Sequence, residues 1–292
     1  MTPLELVRLP RLMELSGGRR ETMIGLIDGP VATGHPGLSR EAVRQAGAMA
    51  GASCSLAGSV ACKHGTFVAG MLCGRRGSAA PSICPDCTLL VRPIFAETAK
   101  LGADLPQAAP EDLAAAIIDV IDEGARVLNL SLAMARCSVR GEREVEAALD
   151  HAARAGTLVV AAAGNQAAVG STAITRHPWV ISVACCDARG WPTAESNLGH
   201  SIGTRGLLAP GTDIVSLGAE GGDAILSGTS AAAPFVTGTL ALLWSCFPRA
   251  RAAEVKLAIA RPGGQRRRSI VPPLLDAWAA YEALASTHGR VQ

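Results

Sequence analysis

Met23-Ile24-Gly25-Leu26-Ile27-Asp28 is an apolar run of strand length that ends on a carboxylate. It does not alternate between apolar and polar residues, which is the pattern of a strand buried on both faces of a parallel sheet. The same pattern returns in Thr88-Leu89-Leu90-Val91, Val127-Leu128-Asn129-Leu130-Ser131, Leu158 to Ala163 and Val180 to Ala184. Helical stretches fall between these runs. Gly65 to Leu72 follows His64, Glu111 to Glu123 carries Leu113, Ile117, Val120 and Ile121 on one face, and Val145 to Ala155 stops at Gly156. Ser230 to Cys246 reads as a long apolar helix and Leu274 to Ala285 as a closing one. Alternating strand and helix implies an α/β fold with a mostly parallel central sheet and helices on both faces. No linker, repeat or low-complexity tract divides the chain, so residues 1–292 are expected to form a single domain. Residues 1–22 form an N-terminal extension, in which Pro10 splits residues 4–14 into two short helical pieces.

Composition narrows the function. Hydrophobic residues make up 49% of the 292, enough for a large core, but aromatics only 3%, so Ala, Val, Leu and Ile must fill it. The net charge of +2 and the lack of a basic stripe argue against nucleic acid. Arg266-Arg267-Arg268, after Pro262-Gly263-Gly264, reads as a solvated loop. No apolar run reaches the length of a membrane span, and the N-terminus lacks a basic segment followed by an apolar one. With an odd count of nine cysteines, these features point to a reducing, cytoplasmic setting and mostly free thiols. Cys84-Pro85-Asp86-Cys87 has no second such pair to complete a metal site. Whether Cys84 pairs with Cys87, or Cys54 with Cys62, stays open.

Functional groups in such sheets gather at the carboxyl ends of strands. Asp28 and Asn165 follow two of the buried runs, and His64 and Ser230 each stand at a helix start among small residues. Taken singly, each is an ordinary turn or cap residue. Taken together, they match a pattern. His64-Gly65-Thr66 and Gly228-Thr229-Ser230-Ala231-Ala232-Ala233-Pro234 resemble the histidine and serine motifs of the subtilisin family of serine proteases. Ala161-Ala162-Ala163-Gly164-Asn165 resembles its oxyanion-hole strand, and Ala209-Pro210-Gly211 the stretch ahead of its nucleophile. The order Asp, His, Asn, Ser is also the family's.

The resemblance implies a three-layer subtilisin-like sandwich and a serine endopeptidase without a cofactor. Ser230 would be the nucleophile, His64 the base, and Asp28 the residue that holds the imidazole tautomer. Asn165, with the Thr229 hydroxyl, would face the oxyanion. A peptide substrate would bind as an added strand, with Ser131, Leu132 and Ala133 as one wall. Ala162, Ala163 and Gly164 would line the pocket before the cleaved bond, and Pro93 to Thr98 the opposite rim.

Departures refine this picture. Gly29 stands where the family has Thr or Ser. Gly37 stands where it often has an Asp calcium ligand, and Cys73 to Ser82 is short and basic, so the usual calcium site is expected to be missing and no metal is assigned. Phe67 and Ala233 replace a frequent His and Thr. Only 27 residues precede Asp28, too few for a prodomain. Leu9-Pro10-Arg11-Leu12-Met13-Glu14-Leu15, Asp28-Gly29-Pro30-Val31 with His35-Pro36, and Cys84-Pro85-Asp86-Cys87 with Pro93-Ile94-Phe95 are similar to the PatA-type proteases of cyanobactin maturation. That similarity implies removal of a leader from a ribosomal precursor peptide. Two alternatives are a macrocyclising transamidase, disfavoured because the interval from Asp28 to His64 leaves little room for a shielding insertion, and a peptide-binding protein without activity, disfavoured because every catalytic position is filled. A nucleotide-binding protein is disfavoured by the lack of a glycine-rich phosphate loop after the first strand.

Overall fold

A computed structural model describes residues 1–39, 41–47, 53–97, 109–131, 139–260 and 268–290. The extension forms two short helices, α1 (Pro3–Leu6) and α2 (Pro10–Leu15). Each opens on a proline, which costs no hydrogen bond in the first helical turn.

β1 (Met23–Asp28) lies inside a parallel sheet of seven strands among the described residues. To one side lie β3 (Thr88–Pro93) and the short β2 (Val43–Gln45). To the other lie β4 (Val127–Leu130), β5 (Leu158–Ala162), β6 (Val180–Cys186) and β7 (Leu207–Pro210). The order β2-β3-β1-β4-β5-β6-β7 makes the connections diverge on either side of β1. A crevice opens at the carboxyl ends of strands where their order switches in this way.

Side chains alternate between the faces of the sheet. Ile24 and Leu26 of β1 join one core with α3 (Val60–Cys73), α8 (Thr229–Cys246), α9 (Ala252–Ala260) and α10 (Ala277–His288). Ile27, Leu90 and Leu128 point the other way, to α4 (Pro110–Asp122) and α5 (Val139–Ala155). This is the three-layer α/β arrangement expected from the sequence. α8 is buried almost throughout because it runs behind the sheet's centre under α3 and α10. Two short helices, α6 (Ala173–Arg176) and α7 (His200–Arg205), flank β6. An antiparallel pair, β8 (Ile214–Leu217) and β9 (Asp223–Leu226), precedes α8.

One expectation changes. The helix near His64 begins at Val60, so His64 sits in its second turn rather than ahead of it. Ser59 is the N-cap, its hydroxyl accepting from Cys62 N at 3.1 Å. The open question of cysteine pairing is answered for the described residues: Cys54 and Cys62 form a disulfide, while Cys73, Cys84, Cys87, Cys185, Cys186 and Cys246 are free and buried. Arg266 and Arg267 lie outside the described residues. No described helix is long and apolar enough to cross a membrane.

Candidate active site

Asp28 ends β1 with its carboxylate fully buried. Its Oδ1 accepts from His64 Nδ1 at 2.7 Å and from Gly29 N at 2.6 Å. Donation through Nδ1 leaves the His64 lone pair on Nε2. Burial by itself would lower the His64 pKa; the charge of Asp28 and its hydrogen bond outweigh burial and raise it. His64 Nε2 and Asp28 Oδ2 are buried and have no hydrogen-bond partner among the described residues. Gly29 accounts for the second of these, since it brings no hydroxyl to the carboxylate. A side chain cannot be fitted there: a Cβ on Gly29 would lie 2.0 Å from Ala61 O, in the first turn of α3. The close approach that rests α3 on β1 therefore excludes the family's Thr or Ser.

Ser230 lies in the first turn of α8, at the positive end of the helix dipole, which favours negative charge nearby. Its backbone is held in an unusual way. In a regular helix the Ser230 carbonyl would accept from the N–H of residue 234, but Pro234 has none. The freed carbonyl accepts instead from Ser131 Oγ at 3.3 Å. Ser131 Oγ in turn accepts from Asn129 Nδ2 at 2.7 Å, and Asn129 Oδ1 accepts from Thr237 Oγ1 at 2.8 Å. This buried network ties the end of β4 to the nucleophile turn of α8.

Asn165 follows β5. Its Oδ1 accepts from Thr229 N at 2.9 Å and Thr229 Oγ1 at 3.0 Å. The amide is thereby oriented, with Nδ2 on the opposite side and the residue exposed. Thr229 Oγ1 also accepts from Gly164 N at 3.1 Å. The resemblance places the Thr229 hydroxyl at an oxyanion; here its single proton goes to Asn165 Oδ1 instead. Gly228, at φ 121°, is required on two counts, its backbone conformation and the 2.7 Å that would separate its Cβ from Asn165 Nδ2.

Among the expected substrate contacts, Ser131 is buried in the network above, while Leu132, Ala133 and Thr98 lie outside the described residues. Ala162 ends β5 on the same sheet edge as Asp28, followed by Ala163 and by Gly164 at φ 100°. On the other side, Ile94 N donates to Asp28 O at 2.9 Å, anchoring the start of the proposed rim. A cavity of about 200 Å³ opens beside Ala163, lined also by Ala168, Ser171, Thr172, Thr175 and Asn197. Asn197 carries no signal in the sequence. Its Nδ2 donates to Ala163 O at 3.0 Å and to Gln166 Oε1 at 2.7 Å, and its Oδ1 accepts from Gln166 N and Ala168 N. It shapes the loop after Asn165 from a distant segment, so no local motif betrays it. Arg176 is turned away, paired with Glu142 at 3.0 Å and Glu146 at 2.6 Å.

The structure resembles that of the protease domain of PatA, solved as a serine-to-alanine point mutant, with a TM-score of 0.80 at 27% identity over 94% of this chain and 98% of that one. It is similarly close to the prenylagaramide maturation protease PagA, with a TM-score of 0.79 at 28% identity over 95% and 98%. Among curated relatives, a thermophilic serine proteinase of Bacillus sp. (strain AK1) is 34% identical over 62% of this chain and 42% of its own length. Mycosin-3 of Mycobacterium tuberculosis (strain ATCC 25618 / H37Rv) is 32% identical over 74% of this chain and 59% of its own length. The chain thus spans less than two thirds of these two relatives. The model of the subtilase family matches residues 19–262, which include Asp28, His64, Asn165 and Ser230. The chain belongs to the subtilase family.

Proposed function

We propose that the chain is a serine endopeptidase that hydrolyses peptide bonds through an acyl-enzyme. The observation that carries this reading is the buried 2.7 Å bond from His64 Nδ1 to Asp28 Oδ1, which leaves Nε2 without a partner among the described residues. His64 Nε2 takes the Ser230 hydroxyl proton as Oγ attacks the substrate carbonyl, and later gives it to the leaving amine. Asp28 fixes the tautomer and stabilises the imidazolium. The developing oxyanion takes hydrogen bonds from Asn165 Nδ2 and the backbone N–H of Ser230. Thr229 orients Asn165. The substrate lies as an extended strand, with Ser131 to Ala133 on one side, the 93–98 segment on the other, and Ala162 to Gly164 under the residue before the cleaved bond. Cleavage of a ribosomal precursor peptide, with removal of its leader, is the favoured role, on the similarity to the maturation proteases above.

The test is to incubate the protein and its Ser230→Ala variant with precursor peptides and follow the products by mass spectrometry. Linear fragments carrying one added water, absent with Ser230→Ala, are expected. A cyclic product without the added water overturns hydrolysis in favour of transamidation.

A further inference from the structure

Cys54 and Cys62 are the bonded pair among the described cysteines, and they sit beside the proposed catalytic residues. Cys62 is two positions ahead of His64 on α3. Cys54 N donates to Val31 O at 3.1 Å, three residues beyond Asp28. Cys62 is buried and Cys54 half-buried, so a reductant reaches the bond through Cys54. A third group faces them. A carboxylate oxygen of Glu97, in the segment after β3, and the two sulfurs lie within 4.8 Å of one another. Glu97 is held in place: its carboxylate accepts from Leu56 N at 2.8 Å, from Ser55 N at 3.0 and 3.1 Å, and from the Ser55 hydroxyl. Burial alone would raise its pKa, but these donors lower it and keep it an anion.

We propose that Cys54, Cys62 and Glu97 form a redox-gated site for a borderline-soft divalent cation of the Zn²⁺ type. A dithiol reductant opens the site. One of its thiolates attacks the Cys54 sulfur and displaces Cys62 as a thiolate, which takes a proton. The reductant's second thiolate then attacks the reductant's own sulfur in the mixed disulfide and releases Cys54 as a thiolate, which also takes a proton. The reductant leaves as its own disulfide, and two electrons have passed to the chain. The cation displaces one proton from each thiol, so two protons are released on binding. Two thiolates and a carboxylate suit such an ion, with metal–sulfur bonds of about 2.3 Å and metal–oxygen bonds of about 2.0–2.2 Å. Ligand atoms no more than 4.8 Å apart are close to twice the metal–ligand bond length, so small side-chain movements bring them to one centre. A fourth position stays open to water. Hard cations such as Ca²⁺ are poorly served by two sulfurs. The oxidised chain does not bind, because the ligand is the thiolate and disulfide sulfurs are uncharged, weak donors.

The consequence for activity rests on the protease reading. The site would join the helix that carries His64 to the rim that carries Glu97, so occupation slows cleavage in the reduced protein and leaves the oxidised protein unaffected.

The experiment uses Co²⁺ as the probe. Reduced, desalted protein kept under nitrogen is titrated while thiolate-to-cobalt charge-transfer absorption is followed, in parallel with oxidised protein. One equivalent is expected to bind to the reduced chain and none to the oxidised chain. Cys54→Ser and Cys62→Ser should abolish the absorption, Cys84→Ser should keep it, and Glu97→Gln should weaken binding roughly ten-fold or more. The Glu97→Gln variant retains the disulfide, so its fold is checked in the oxidised form by circular dichroism. No absorption in the reduced wild-type protein overturns the proposal. So does absorption that survives loss of Cys54 but not of Cys84, or binding indifferent to Glu97→Gln. Zn²⁺ added to the peptide assay is expected to slow cleavage by the reduced protein and not by the oxidised protein; missing cobalt absorption sinks the site, whereas missing cleavage in every redox state without added metal sinks the protease reading.

Discussion

Replacing Thr229 by Val separates two roles for this residue. The isosteric change keeps the buried shape and the Thr229 N–H but removes the hydroxyl that donates to Asn165 Oδ1 at 3.0 Å. Asn165 Oδ1 then keeps one of its two bonds, from Thr229 N at 2.9 Å. A net hydrogen bond is worth about 0.5–1.5 kcal/mol, and each 1.36 kcal/mol is ten-fold in rate. If all of that is lost from the orientation of the Asn165 amide, kcat falls roughly two- to twelve-fold. Asn165→Ala removes the oxyanion donor itself, for which about 10²–10³ in kcat is expected. If Thr229 acts through Asn165, the double variant is no slower than Asn165→Ala alone, because no amide remains to orient. The assay is kcat on a chromogenic peptide for the four members of this double-mutant cycle. The Thr229→Val variant also leaves Gly164 N without its acceptor, so thermal melts confirm that each protein is folded at the assay temperature. A Thr229→Val effect that multiplies in full on the Asn165→Ala background would refute this reasoning and return the hydroxyl to the oxyanion.

Other consequences follow from the same geometry. The raised His64 pKa means that the base becomes neutral only above the ordinary histidine range, so activity rises with pH along a limb centred above about 6.5. Asp28→Asn removes the group that raises it, so this limb moves to lower pH while kcat drops by about 10⁴, both read from pH–rate profiles. The same pair acts on stability with the opposite dependence. Its contribution is complete below the unfolded-state histidine pKa and is lost as pH rises through the folded-state value, which chemical denaturation at several pH values measures. Gly29→Ser drives its Cβ into Ala61 O and is expected to cost at least about 2 kcal/mol, a Tm drop of roughly 4 °C or more by calorimetry. Pro234→Ala restores an N–H that competes with Ser131 for the Ser230 carbonyl, so kcat falls while KM holds, and Ser131→Ala on that background adds little further loss.

Much of the fold is legible in the sequence because its signals are local. The buried strands show as apolar runs without alternation, and Pro10 divides the N-terminal helix as its missing N–H requires. The start of α3 is easily misplaced because Gly65 draws attention from Ser59, whose N-cap position is also a local signal. The β8–β9 pair escapes a reading of apolar runs, although Gly221-Gly222, both at positive φ, marks its turn. Other features depend on distant segments meeting. Thr237 reaches Asn129 across the core, Asn197 shapes the loop after Asn165 from the loop that precedes α7, and Cys54 meets Cys62 only because its loop folds back on the start of α3. The role of Thr229 turns on which acceptor takes a single proton, which no motif states.

The most direct test of the central claim is active-site labelling of the folded chain with a fluorophosphonate, followed by peptide mapping. One adduct per chain on Ser230 is predicted, absent in Ser230→Ala and strongly slowed in His64→Ala. An adduct on another residue, or none in folded protein that cleaves peptide, would contradict the assignment of Ser230 as a nucleophile activated by His64.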